Sequence, residues 1–273
     1  MKKRLPSILV GLLFLVGLGI MIYPTVSNQW NTYRQNKLIS NYEKIVDDMS
    51  DEDFSQEWQN AQAFNETISG NNVFADVFGE KPKDSENSEY NRVLNMNNDG
   101  IMGYISIPEI NIKLAIYHGT SDDVLQTGVG HINGSKLPIG GESTHCVLAA
   151  HRGLPSAELF TDIDQLQTGD KFYLHILDKV LAYEVDQIKT VLPSQTDDIE
   201  IVDGEDYVTL VTCTPYSVNT HRLLVRGKRT DYKEAIKKTP NKVNNGIQIP
   251  YEVKLAFLSF IIIGIIIFIW RRR

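Results

Sequence analysis

Cysteine, histidine and arginine are the side chains that carry acyl groups through a thiol, and this chain places one of each beside a strand-like run. Cys213 closes the β-branched run 208–213, and Arg222 opens the next run, 222–226. Between them, residues 214–220 include the turn formers Pro215, Ser217 and Asn219. If the two strands pair as neighbours, Cys213 and Arg222 meet at one rim of a sheet. A thiol beside a guanidinium is a nucleophile with a built-in anion stabiliser. His151 follows a third run, 144–150, which reads as a buried strand. In such a set the thiolate attacks a carbonyl, an imidazolium protonates the leaving amine, and the imidazole then deprotonates the incoming nucleophile.

Plainer explanations compete at each position. Most free cysteines are small buried hydrophobes. A lone histidine at a strand end is more often structural, and the chain has six: His118, His131, His145, His151, His175 and His221. Cys146 and Cys213, the only two cysteines, are candidates for a disulfide in an exported domain. A metal site from His145, Cys146 and His151 lacks ligand spacing and a fourth ligand, so no metal is expected, and nothing implies a cofactor.

The elements that position these residues are mostly strands. Runs 103–108 and 110–117 alternate like half-buried strands. Ser121-Asp122-Asp123 opens a short helix that ends near Gly128. Residues 131–141 read as loop, and 157–166 as a helix followed by Gly169. Two more strands, 171–177 and 180–192, flank a tight turn at Asp178-Lys179, and 197–205 is an acidic loop. Seven or more strands with short connections predict a mainly β domain, a closed or nearly closed barrel. Before it, residues 32–65 read as polar helix, with Leu38, Tyr42 and Ile45 at near-helical spacing. Residues 70–98 read as a long polar loop interrupted by Val73-Phe74 and Val77-Phe78, a linker or a lid.

The ends have a different character. Lys2-Lys3-Arg4 precedes an uncharged, mostly apolar run over 8–23, and a second uncharged run, 255–270, is closed by Arg271-Arg272-Arg273. With flanking residues each reaches the lower end of membrane-spanning length, roughly 17–20 residues. Tyr23, Trp30, Tyr251 and Trp270 stand where interfacial aromatics help. Two spans with both basic clusters inside leave the region between on the outer face of the cell membrane. A cleaved signal peptide is the alternative for the first run, against which stand its length and the poor cleavage site at Thr25-Val26-Ser27. Without the six terminal basic residues, 21 Lys and Arg face 34 Asp and Glu, a net charge of −13 that disfavours nucleic acid as a partner.

The motif around the thiol is long enough to identify. Thr212-Cys213-Thr214-Pro215-Tyr216, then Asn219-Thr220-His221-Arg222-Leu223-Leu224-Val225-Arg226-Gly227, closely resembles the signature of class C, pilin-polymerising sortases of Gram-positive bacteria. Gly130-His131, Thr144-His145 and His151-Arg152-Gly153-Leu154-Pro155 resemble it too, and the likeness runs over about residues 31–229. The resemblance implies an eight-stranded sortase barrel with short connecting helices, N-terminal helices and a lid loop, flanked by two transmembrane helices. It implies Cys213 as nucleophile, His151 as general acid and base, and Arg222 as the stabiliser of substrate or oxyanion. It implies cleavage of an LPxTG-like sorting signal after its Thr, with transfer of the acyl group to a lysine of the next pilin subunit. Arg226 lies on the same strand face as Arg222, and its place relative to the motif makes it a structural or surface charge. Class C lids usually carry Asp-Pro-aromatic, and here Asp76-Val77-Phe78 is the nearest match, with Val in place of Pro. Asp76 is then expected to pair with Arg222 and Phe78 to fill an apolar groove, on a turn less fixed than Pro would make it.

The expected organisation is a cytoplasmic N-terminus (1–6), a transmembrane helix (7–23), an extracellular helical region (24–69), a lid loop (70–98), the barrel (99–230), a tether (231–252), a second transmembrane helix (253–270) and a cytoplasmic tail (271–273). Expected partners are pilin subunits with LPxTG-like signals, a pilin lysine or a cell-wall precursor as acceptor, and membrane lipid. Two alternatives remain at this stage. One is a sortase that anchors surface proteins to wall-peptide amines, and the other is a non-enzymatic surface scaffold held by a Cys146–Cys213 disulfide.

Overall fold

The computed structural model describes residues 5–68, Asp76, Phe78 and 89–233. Eight strands close into a barrel in the order β1-β2-β3-β4-β7-β8-β6-β5. They are β1 (Ile101–Ile107), β2 (Ile112–His118), β3 (Val129–His131), β4 (Thr144–Ala149), β5 (Lys171–Ile176), β6 (Lys179–Val191), β7 (Asp206–Thr214) and β8 (His221–Thr230). The pairs β2–β3 and β4–β7 are parallel and the other neighbours antiparallel, so the barrel is mixed. Closure leaves no free sheet edge for another chain to extend.

Alternation along the strands explains where the core sits. On β4, β7 and β8, Cys146, Leu148, Val208, Leu210, Leu223 and Val225 point into the main core. Val147, Ala149, Val211 and Leu224 point the other way and form a second apolar cluster with Leu125, Ile132, Val191 and Ile199. Strands buried on both faces carry near-continuous apolar sequence, as β4 does.

Two helices precede the barrel. α1 (Leu5–Asp47) is one continuous helix with Pro24 inside it, and α2 (Asp51–Thr67) follows after a short turn. α1 carries the apolar run 8–23 straight into the polar helix that follows. A proline costs one hydrogen bond and a clash, which the flanking turns of a long helix can absorb. α1 lies on the barrel through Ile39 and Tyr42, packed with Ile101, Tyr104 and Ala115. Gln35 donates to Thr127 O at 2.7 Å and accepts from Ala115 N at 2.9 Å. α2 starts in a capping box, with the Ser50 hydroxyl on Asp53 N and the Asp53 carboxylate on Ser50 N. The acidic residues Asp51, Glu52 and Asp53 thus occupy the first turn, where the helix dipole favours them. Trp58 and Ala61 of α2 join the main core, and Trp58 Nε1 donates to Asp178 at 2.8 Å.

Two expectations are corrected, and a third lies outside the described residues. Residues 157–166 are turns and one 3₁₀ turn, Ile163–Gln165, instead of a helix. Their apolar residues do have helical spacing, but Leu159 takes φ +43°, left-handed, which no α-helix accommodates. Residues 129–131 form the three-residue strand β3 where His131 had read as loop; α3 (Asp122–Thr127) leads into it as expected. The second apolar run, 255–270, and most of the lid loop lie outside the described residues.

Two buried histidines make the fold acid-sensitive. His131 sits 2.9 Å from Tyr90 Oη and 2.9 Å from Lys136 O, and His145 sits 2.7 Å from Glu200 O and 2.7 Å from Thr209 Oγ1. Burial pushes both down to about 4. Between about pH 6.5 and 4 the unfolded chain therefore takes up protons that the folded chain refuses, so stability is complete above that window and falls as pH drops through it. The loss is on the order of 1–3 kcal/mol per histidine. The urea midpoint should fall from neutral pH to about pH 4.5, and His145→Gln should remove part of that fall; an unchanged midpoint would contradict the assignment.

Candidate active site

The β7–β8 register sets Cys213 directly opposite Arg222. β4 lies parallel to β7 on its other side, with Ala149 opposite Val211. The pairing continues past the end of β4: Ala150 N donates to Val211 O at 3.2 Å, and Thr212 Oγ1 donates to Ala150 O at 2.8 Å. One more step brings His151 alongside Cys213. Alternation then puts Cys213, Arg222 and His151 on the outer face of the sheet, beyond Val211, Leu224 and Ala149. Cys146 points inward to the main core instead. Both cysteines are free, and strand parity directs them to opposite faces, so the structural disulfide is excluded.

Arg222 is held from three sides. Its Nε donates to Asp76 Oδ1 at 2.8 Å and one terminal nitrogen to Asp76 Oδ2 at 2.5 Å, a bidentate pair. The other terminal nitrogen donates to the carbonyls of Asn219 and His221, both at 2.9 Å. Phe78 lies with its ring centre 5.5 Å from the His151 ring and 5.2 Å from Arg222 Cζ, packed on the outer apolar cluster. Asp76 and Phe78 thus both stand at the residues picked out by the cysteine motif, with Phe78 N turned back on Asp76 Oδ1 at 3.5 Å. Arg226 lies four residues along the same face, paired bidentately with Asp186 at 3.0 and 2.7 Å and stacked 4.2 Å from the Tyr207 ring. Its charge is spent on that pair.

From Arg222 an apolar groove runs over the outer face, lined by Ile132, Val191, Pro193, Ile199, Val211 and Leu224, with Asp76 at its end. Such a lining favours apolar side chains of a bound ligand.

Electrostatics favour an uncharged resting pair. Burial pushes the Cys213 thiol up, Arg222 opposes this, and Asp76 adds to it. Burial pushes the His151 imidazole down, and Asp122 opposes it. At neutral pH both effects favour thiol and imidazole over thiolate and imidazolium. Asp122 was legible only as a helix-capping residue; no sequence signal brings it near His151. Nor did any signal point to the Asn219 and His221 carbonyls that fix Arg222.

The fold and the motif both have counterparts. A family model described as the sortase domain matches residues 105–230. The crystal structure of sortase C-1 from Streptococcus pneumoniae is 47% identical, covers 72% of this chain and 99% of its own, and superposes with a TM-score of 0.68. The chain belongs to the sortase family. A pilus-related sortase C of group B Streptococcus is 42% identical over 71% of this chain and 98% of its own, with a TM-score of 0.66. Among curated relatives, sortase A of Streptococcus agalactiae serotype III is 29% identical over 158 residues, which is 55% of this chain and 63% of that protein's length.

In this sortase the Asp76–Phe78 contacts yield a direct prediction. Phe78→Ala should speed alkylation of Cys213 by roughly tenfold, the equivalent of about 1.4 kcal/mol of closure. Asp76→Asn frees the Arg222 charge to act on the thiol, so the midpoint of the alkylation rate against pH should move to lower pH. Rates and midpoints equal to the parent's would mean that the two residues do not govern access or charge at Cys213.

Proposed function

We propose that this sortase is a membrane-anchored cysteine transpeptidase that joins pilin subunits. What supports the reading is Cys213 paired opposite Arg222, with His151 one step past β4 on the same outer face and Arg222 lining an apolar groove. An LPxTG-like sorting signal lies extended in the groove, and its Thr carbonyl carbon meets Cys213 Sγ. The resting proton passes from the thiol to His151 as substrate displaces Asp76 from Arg222, which turns that positive charge towards the reacting carbonyl. A C–S bond forms, the oxyanion rests against Arg222, and the Thr–Gly C–N bond breaks as His151 gives its proton to the departing amine. The Thr acyl group is now a thioester on Cys213. A lysine amine of the next pilin subunit attacks it, His151 takes the amine proton, the C–S bond breaks, and an isopeptide bond is left.

Asp76 and Phe78 act as the lid in this scheme, since they occupy the guanidinium and the mouth of the groove. The 42–48% identity of this chain to solved sortases C, among them a pilus-related one of group B Streptococcus, supports the pilin assignment. The anchor reading draws on α1, which is long and apolar enough to cross a membrane, and on the second apolar run, 255–270. α1 also argues against cleavage near residue 27, because Ser27 and Asn28 are hydrogen-bonded to the barrel. The scheme takes the domain boundaries as expected from sequence, with spans at 7–23 and 253–270, the catalytic domain outside and both termini inside.

Competition between acceptors tests the pilin reading. The full chain in detergent is given a sorting-signal donor with equal amounts of a pilin lysine and a wall-peptide amine. Preference for the lysine is expected; preference for the wall amine would assign the enzyme to surface-protein anchoring instead.

A further inference from the structure

The apolar side chains that α1 leaves uncovered continue beyond its membrane-type run. Tyr23, Val26, Trp30 and Tyr33 are 55%, 58%, 61% and 59% exposed. Their spacing puts them on one face of the helix, and the Trp30 and Tyr33 rings stack at 5.7 Å. Asn28, Gln35, Ile39 and Tyr42, which meet the barrel, lie on the opposite face. No charged residue occurs between Arg4 and Arg34, a run of 29 residues. As helix this is about 43 Å long, matching the roughly 40–45 Å of a bilayer with both headgroup layers. Its outer end, Trp30 and Tyr33, therefore falls in the outer interfacial layer, where such rings are favoured.

α1 is also pinned to the barrel close to that level. Ser27 Oγ donates to Ser156 O at 3.1 Å, and Glu158 N donates to Asn28 Oδ1 at 2.9 Å. Ser27 lies only three residues, about 4.5 Å, before Trp30, at the inner side of the same headgroup layer. The loop it touches follows directly from His151. Tyr216 packs over that loop: a Cβ on Gly153 would come within 3.0 Å of its ring. Tyr216 and Val218 are 55% and 62% exposed, on the connection between the Cys213 and Arg222 strands. The opposite end of the barrel touches α1 fifteen residues higher, where Leu177 N donates to Tyr42 Oη at 2.8 Å. That is about 22 Å farther along the helix axis.

We propose that the rim of the barrel carrying Cys213, His151 and Arg222 rests on the phospholipid headgroups of the outer leaflet. Tyr216 and Val218 contact lipid, and Trp30 and Tyr33 set the depth of α1. The inference rests on the reading of α1 as a membrane span. Cys213 then works at a small, fixed height above the bilayer, and substrate reaches it along the membrane surface. The turn at Asp178 and Lys179, which packs on Trp58 of α2, lies at the end of the barrel away from the bilayer.

Depth-dependent quenching tests this on the full chain in phosphatidylcholine–phosphatidylglycerol vesicles. A fluorophore is attached at Val218→Cys or at Lys179→Cys, each in a Cys213→Ala background; Cys146 is buried and does not label. Lipid with a nitroxide on its headgroup should quench the label at position 218 severalfold more than the label at position 179. Equal, weak quenching at both positions, on a chain that floats with the vesicles, would overturn the rim placement and leave the anchor standing. A chain that fails to float with the vesicles would overturn the anchor and the rim placement together.

Discussion

Cys213→Ala should reduce transfer to the uncatalysed background while leaving the barrel folded. The side chain is 5% exposed on the outer face, and its replacement removes one sulfur without opening the main core. The cost in stability is about 1 kcal/mol, too little to unfold a closed eight-stranded barrel. Circular dichroism and the urea midpoint should therefore match the parent within a small margin, while product formation vanishes. Forming a covalent acyl intermediate requires a nucleophile at that position, and alanine supplies none. Residual transfer well above background from a folded Cys213→Ala chain would remove the cysteine from the mechanism.

Arg222→Ala should lower the transfer rate by about 10²–10³-fold, the usual effect of deleting one preorganised oxyanion donor. The loss should appear in kcat more than in KM if the guanidinium acts on the oxyanion, and in KM if it only holds substrate. Arg222→Lys should recover little, since an ammonium cannot reproduce the planar contacts to Asp76, Asn219 and His221. Arg226→Ala gives the contrast. That guanidinium is committed to Asp186 and Tyr207, so its loss should disturb stability modestly and transfer little. Equal effects on transfer from the two arginines would undo the distinction between them.

The strands were readable because alternation and β-branched runs are local signals. The Cys213 and Arg222 runs, the 103–117 hairpin and the pair around Asp178 all appear where the pattern put them. β3 escaped because three residues are too few to establish a period. Residues 157–166 misled because Ala157, Phe160, Ile163 and Leu166 keep helical spacing while Leu159 takes a left-handed turn, a conformation dictated by packing and invisible in the pattern. At the site, strand pairing could bring Cys213 and Arg222 together on paper. His151 needed the parallel β4–β7 neighbours, a contact 62 residues apart in sequence. The two faces of that sheet, which separate Cys213 from Cys146, follow from parity once the register is known. Asp76 and Phe78 came only from a family resemblance, and Val77 in place of Pro did not keep either from reaching the site.

The most direct test of the account is the mass of the chain after incubation with a sorting-signal peptide and no acceptor amine. Phe78→Ala is run beside the parent chain so that cover by the Phe78 ring cannot hide the result. The account predicts an added mass equal to the peptide fragment ending at its Thr, located on Cys213 and released by an added amine. A chain that cleaves the peptide yet carries no adduct, or carries it on another residue, would contradict the account.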